Sequence, residues 1–220
     1  MYKYIIKRLI DFFLSSMAII VLALPMLIIA IAIKIDDPGP VLFKQRRVGQ
    51  KKNGELTYFM IWKFRSMKMS TPHDVPTHLL ENPEQYITRV GSFIRKTSLD
   101  ELPQIFQVFT SKLSVVGPRP ALWSQDDLVA EREKYGANDI KPGITGWAQI
   151  NGRDELEIDV KAKFDGEYAA AINTGHFKGL IMDVKCFFGT IGSVLKSEGV
   201  VEGGTGELKK QEAEKETITK

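Results

Sequence analysis

The sequence predicts a mostly helical α/β protein held at a membrane, and three observations carry that reading. Residues 9–33 are almost wholly apolar, two short β-prone segments at 41–47 and 56–64 flank a polar turn, and stretches 154–173 and 177–195 repeat apolar residues at helical spacing. The chain has 220 residues, 44% of them apolar, which supports a sizeable core in one ordinary domain. A net charge of +3 is too weak to argue for a nucleic-acid partner, and the chain carries no internal repeat or zinc-ligand spacing. The single cysteine, Cys186, sits in an apolar helical run and reads as filler, with nothing pointing to disulfides.

As a helix, residues 9–33 run roughly 37 Å, against a bilayer core of about 30 Å. Only Asp11, Ser15, Ser16 and Pro25 interrupt the run, which is too long for a cleaved signal peptide and lacks a small-residue cleavage site. Lys3, Lys7 and Arg8 precede it while Lys34, Lys44, Arg46 and Arg47 follow, so the positive-inside rule prefers neither flank. Both ends therefore read as lying on one face, and Pro25 predicts a kink near the middle. These features favour a re-entrant membrane helix over residues 1–35, with a kinked transmembrane helix as the alternative. Residues 36–200 then form a body on the membrane surface, and 201–220, short of apolar residues, a charged flexible tail.

Asp36-Asp37-Pro38-Gly39-Pro40 is a turn that ends the membrane element. Segments 41–47 and 56–64 then predict a small β-hairpin with Lys63 and Arg65 at its exit. Arg46 and Arg47 suit anionic lipid as well as plain solvated surface. Residues 66–88 read as a long polar loop whose two histidines, His73 and His78, make a poor metal site. A short helical lead-in at 89–96 delivers Arg95 and Lys96 just ahead of a carboxylate pair.

That pair sits in 97–120, TSLDELPQIFQVFTSKLSVVGPRP, the densest stretch of the chain. Ser98 and Glu101 match a capping box, so a helix is predicted to start at Ser98, with Asp100 and Glu101 in its first turn and the helix dipole holding Asp100 ionised. Structural capping alone accounts for this tetrapeptide. Beyond the helix, 115–116 read as a buried strand or turn leading to Arg119, clamped between Pro118 and Pro120, where a fixed guanidinium suits either a phosphate or a carboxylate partner. Residues 124–135 form a charged helix burying Leu128, and the glycines at 143, 146 and 152 suit either a loop whose backbone approaches a ligand, with Arg153 on its anionic oxygens, or a structural crossover. The helix over 154–173 is expected to bury Leu156, Val160, Phe164 and Tyr168. That over 177–195 carries a stripe of Leu180, Ile181, Val184, Phe187, Phe188, Ile191 and Val194 suited to a membrane interface or to a core.

Taken together, Lys63-Phe64-Arg65-Ser66-Met67, the run from Arg95 to Leu102 with its Asp-Glu pair, VVGPRP and KPGITGWAQINGR resemble the bacterial sugar transferases, the monotopic polyprenyl-phosphate phosphoglycosyl transferases, over about residues 2–200. The resemblance is to the small single-domain form, and it implies a re-entrant N-terminal helix and an α/β catalytic core on the cytoplasmic face of the bacterial inner membrane. It further implies transfer of sugar 1-phosphate from a UDP-sugar to polyprenyl (undecaprenyl) phosphate with release of UMP, an initiating step of capsule, O-antigen, exopolysaccharide or glycoprotein glycan assembly. On that resemblance Asp100 is the nucleophile that takes up the phosphosugar, Glu101 its partner, and Mg²⁺ bridges the two carboxylates and the diphosphate. Lys63, Arg95, Arg119 and Arg153 are then the groups that hold phosphate oxygens. Membrane lipids are the remaining partner, and a homodimer stays open. The chain departs from the family pattern in a longer spacer between Tyr168 and Asp183 and at Thr110–Lys112, so the sugar is left open. A membrane glycosyl transferase releasing UDP and a non-catalytic membrane scaffold are the alternative readings.

Overall fold

A computed structural model describes residues 2–71, 82–152 and 156–196, leaving aside the side chains of Pro83, His176 and 193–196. The expected flexible tail at 201–220, His73 and His78 lie outside the described residues.

The apolar run becomes one long helix. A π-helical turn, Tyr2–Ile6, leads into α1, Lys7–Asp36, whose helical backbone continues through Pro25. It is the one helix among the described residues long and apolar enough to cross a membrane. Its seating on the body is two-ended. Lys7, Asp11 and Ser15 are buried near the start and Met26, Ile29 and Ile33 near the end, at the three- and four-residue spacings that share a helix face. Between them residues 16–25 contain no buried side chain, and Met17, Ile20, Val21 and Leu24 are exposed.

Polar side chains on α1 do much of the seating. Arg8 donates to the carbonyls of Val108 and Phe109 at 2.8 and 2.6 Å, meeting the unsatisfied carbonyl end of α3, Gln104–Phe109. Asp11 accepts from Ser114 Oγ at 2.7 Å and from the Val115 amide at 3.0 Å, both in β3, Ser114–Val116. At the far end Asp36 accepts from the Val90 amide, capping α2, Arg89–Lys96, while Asp37 pairs with the buried Arg65.

The hairpin forms as expected, with β1, Leu42–Val48, antiparallel to β2, Tyr58–Phe64, in a register that pairs Leu42 with Phe64 and Val48 with Tyr58. Three other expectations need correction. No helix starts at Ser98: that residue takes a left-handed backbone, φ 55°, its side chain makes no capping bond, and Leu99–Glu101 is a 3₁₀ turn. The α-helix begins only at Gln104, with Pro103 as its cap. Second, the glycine-rich stretch 141–152, open between a ligand loop and a structural crossover, is not loop throughout: it supplies β4, Gly143–Thr145, parallel to β3, and the short α5, Trp147–Ile150. A Cβ on Gly143 would lie 2.1 Å from the Gly117 amide nitrogen, and one on Gly146 would lie 2.2 Å from the Gly117 carbonyl, so these glycines let two parallel backbones approach closely.

Third, the helix over 154–173 is α6, Ile158–Thr174, and it does not bury Val160, which is 37% exposed. Its inner face is Ala162, Asp165, Gly166, Tyr168, Ala169 and Ile172, with Tyr168 the largest fully buried side chain, and the helix packs against α4, Asp126–Glu133. The last helix, α7, His176–Lys196, turns Cys186 inward and leaves Phe177, Ile181, Val184, Phe188 and Ile191 outside. Asp183 on α7 gathers three donors: Tyr2 OH at 2.5 Å, Lys7 Nζ at 2.7 Å and Tyr168 OH at 2.6 Å.

Candidate active site

Ser98 is the residue that aims the site. Its left-handed turn ends α2 and throws the chain into the 3₁₀ turn that carries Asp100 and Glu101 inward, each side chain 12% exposed. Behind that turn lies an apolar wall in which Leu99 and Leu102 pack against Met26, Ile29, Ile33, Phe64 and Ile94. The last turns of α1 therefore form the back of the acidic pair.

Two cations meet the pair from separate elements. Lys63, near the end of β2, places Nζ 2.8 Å from Glu101 Oε1 and 3.4 Å from Asp100 Oδ2. Arg119 forks onto Glu101, with Nη2 2.6 Å from Oε1 and Nη1 3.3 Å from Oε2. Rigid geometry fixes this guanidinium: β3 delivers it beyond Gly117, and the buried Arg132 of α4 donates to its backbone carbonyl at 2.9 Å. Arg132 is itself held by Asp165 of α6 at 2.6 Å.

The electrostatics split the two carboxylates. Burial pushes Glu101 up, yet Arg119 and then Lys63 outweigh it and hold the carboxyl well below the ordinary glutamate range. For Asp100 burial is the largest influence and wins: Lys63 pulls it down, the Glu101 charge adds to the upward push, and the net result lies above the ordinary aspartate value. The cause expected from the sequence is absent, because the pair sits in a buried 3₁₀ turn and not in the first turn of an α-helix, and burial shifts Asp100 in the opposite direction from a helix dipole. Glu101 is thus a permanent anion tied to two cations, and Asp100 is the less committed carboxylate of the two.

Of the six residues singled out in the sequence, the fold brings Lys63, Asp100, Glu101 and Arg119 together. Arg95 lies in the last turn of α2 with Nη1 3.4 Å from Ser66 Oγ. Arg153 lies outside the described residues. Sequence reasoning missed Arg132 and Asp165, both buried, because charged residues on a charged helix look like solvent face. The one usable signal was Arg132 falling four residues after Leu128, on the face expected to be buried.

A buried acidic pair gripped by a lysine and a forked arginine, backed by a helix long and apolar enough to cross a membrane, makes up the candidate site. The chain belongs to the bacterial sugar transferase family, whose model matches residues 2–197. It is 40% identical over 177 residues to the UDP-glucose:undecaprenyl-phosphate glucose-1-phosphate transferase of Escherichia coli (strain K12), a match covering 74% of this chain and 36% of that protein. It is 38% identical over 201 residues to the exopolysaccharide production protein PSS of Rhizobium leguminosarum bv. phaseoli, covering 87% of this chain and 96% of the relative. With the UDP-galactose-lipid carrier transferase of Erwinia amylovora it shares 35% identity over 214 residues, covering 88% of this chain and 41% of the relative. The matches to the four glucose-phosphate transferases span between 31% and 39% of those proteins, about a third of their length.

Proposed function

We propose that the protein transfers sugar 1-phosphate from a UDP-sugar to polyprenyl phosphate, releasing UMP and leaving a polyprenyl diphosphate-linked sugar. The observation that carries this reading is the split pair, with Glu101 locked between Lys63 and Arg119 and Asp100 left as the acceptor. In the first step an Asp100 oxygen attacks the sugar-bearing phosphorus, the bond to the bridging oxygen breaks, and UMP leaves with that oxygen. In the second a phosphate oxygen of the lipid attacks the same phosphorus and expels the Asp100 carboxylate. Lys63 and Arg119 are placed to stabilise charge on the phosphoryl oxygens as it builds, and Arg95 and Arg153 are proposed to extend that set.

The donor set also suits Mg²⁺, which takes one or two carboxylates and completes its shell with water and substrate phosphates. Bound at Asp100 and Glu101, the ion would supply charge neutralisation between the dyad and the diphosphate. Excess chelator is expected to stop turnover, and full activity in chelator would remove the metal role.

The two-ended seating of α1 supports a re-entrant arrangement, with both ends on the body and the bare middle in lipid. The exposed apolar stripe of α7 supports an interfacial position for that helix. The body would then lie on the cytoplasmic face of the inner membrane. Assaying UMP and UDP separately, with polyprenyl phosphate and a panel of UDP-sugars, tests the reaction: lipid-dependent UMP supports it, and UDP moves the protein to ordinary glycosyl transfer.

A further inference from the structure

Gln104 opens α3 three residues after Glu101, and it is 1% exposed. Its amide nitrogen, Nε2, is buried and finds no acceptor among the described residues. A buried donor left without a partner is disfavoured, and at a functional site it marks a place where an acceptor arrives from outside. The neighbouring glutamine shows what a satisfied amide looks like here. One turn along the same face, Gln107 accepts from the Trp62 amide at 2.9 Å and donates to the Met60 carbonyl at 2.7 Å, clamping α3 to β2.

Three residues earlier on that face, Gln104 is carried toward the end of β2, where Lys63 reaches the acidic pair. Lys63 and Arg119 both bond Glu101, whereas the Gln104 donor is uncommitted. We infer that Gln104 is a binding residue of this site, whose Nε2 donates to a phosphoryl oxygen of a bound diphosphate. The inference rests on the reading of the dyad as a diphosphate site. The chemistry is that of a neutral donor carried one helical turn beyond Glu101, and it adds no second positive charge beside Asp100, which already pairs with Lys63.

Isothermal titration of the 220-residue protein in detergent with inorganic pyrophosphate, in buffer containing magnesium chloride, tests this without requiring turnover. Gln104→Leu keeps the volume and removes the orphan donor, so its thermal stability is expected to stay level or rise while pyrophosphate affinity falls about tenfold. Gln104→Glu, which puts carboxylate oxygens in the same place, is expected to bind more weakly still. Unchanged affinity in Gln104→Leu overturns the inference, as does wild-type protein that binds no pyrophosphate. A marked loss of stability in Gln104→Leu would reveal an internal partner for the amide and overturn it as well. The two readings fail separately. UMP release with unchanged pyrophosphate binding in Gln104→Leu removes the Gln104 role alone, and lost binding in a protein that never releases UMP removes the reaction alone.

Discussion

At the scale of single residues, the opposed shifts of Asp100 and Glu101 have kinetic consequences. The attacking form of Asp100 is the carboxylate, so the rate is expected to fall as pH drops through the Asp100 pKa. Lys63 lowers that value, so in Lys63→Met the acid limb should move to higher pH while the maximal rate also falls. A pH–rate profile of the two proteins checks both. Asp100→Asn should lose activity by about three orders of magnitude or more, with membrane insertion intact. Ser98 offers a test of the backbone: a capping serine would be weakened by glycine, but a serine held at φ 55° should be relieved by it, so Ser98→Gly is expected to stabilise by about 1 kcal/mol in denaturant unfolding. The carboxylate pair was legible in the sequence because the surrounding motifs are specific. The sign of the Ser98 backbone was not, since Ser-x-x-Glu reads as a cap and only the packing of Leu99 and Leu102 on α1 selects the other conformation.

At the scale of elements, the parallel strands β3 and β4 come into close backbone contact at Gly117, Gly143 and Gly146, and Arg119 follows two residues beyond Gly117. Gly143→Ala would drive a methyl group into the Gly117 backbone, so it should cost about 1–3 kcal/mol of stability and reduce activity through Arg119. The hairpin and the long helices were readable from alternation and periodicity. Spacing left the glycines open between a ligand loop and a structural crossover, and could not decide, because the backbone they accommodate belongs to a distant stretch of chain. Val160 was misplaced because the buried face of α6 runs through Ala162, Asp165, Tyr168, Ala169 and Ile172, and a paired aspartate and small residues on that face hide its register from a hydrophobic pattern.

At the scale of the whole molecule, the first and last described helices are joined through Asp183. Lys7 and Asp183 are only 9% and 13% exposed in their side chains, so Asp183→Ala would strand a buried ammonium group at a cost of about 3–5 kcal/mol, measurable by unfolding in detergent. Topology is open to labelling without first removing the native thiol. Cys186 is fully buried and burial pushes its thiol up to about 12, so it should stay silent to maleimide. Cysteines at the exposed positions Tyr4 and Lys44 are then expected to react from the same side of sealed vesicles if α1 is re-entrant, and from opposite sides if it crosses. The seating of α1 also bears on any attempt to obtain the protein without its anchor. Met26, Ile29 and Ile33 form the wall behind the turn that carries the carboxylate pair, and Arg8 and Asp11 close the ends of α3 and β3. Cutting away residues 2–36 would not free a soluble catalyst; it would unroof the cluster on which the dyad rests, so the lipid-facing and chemical parts of this chain stand or fall as one cooperative unit.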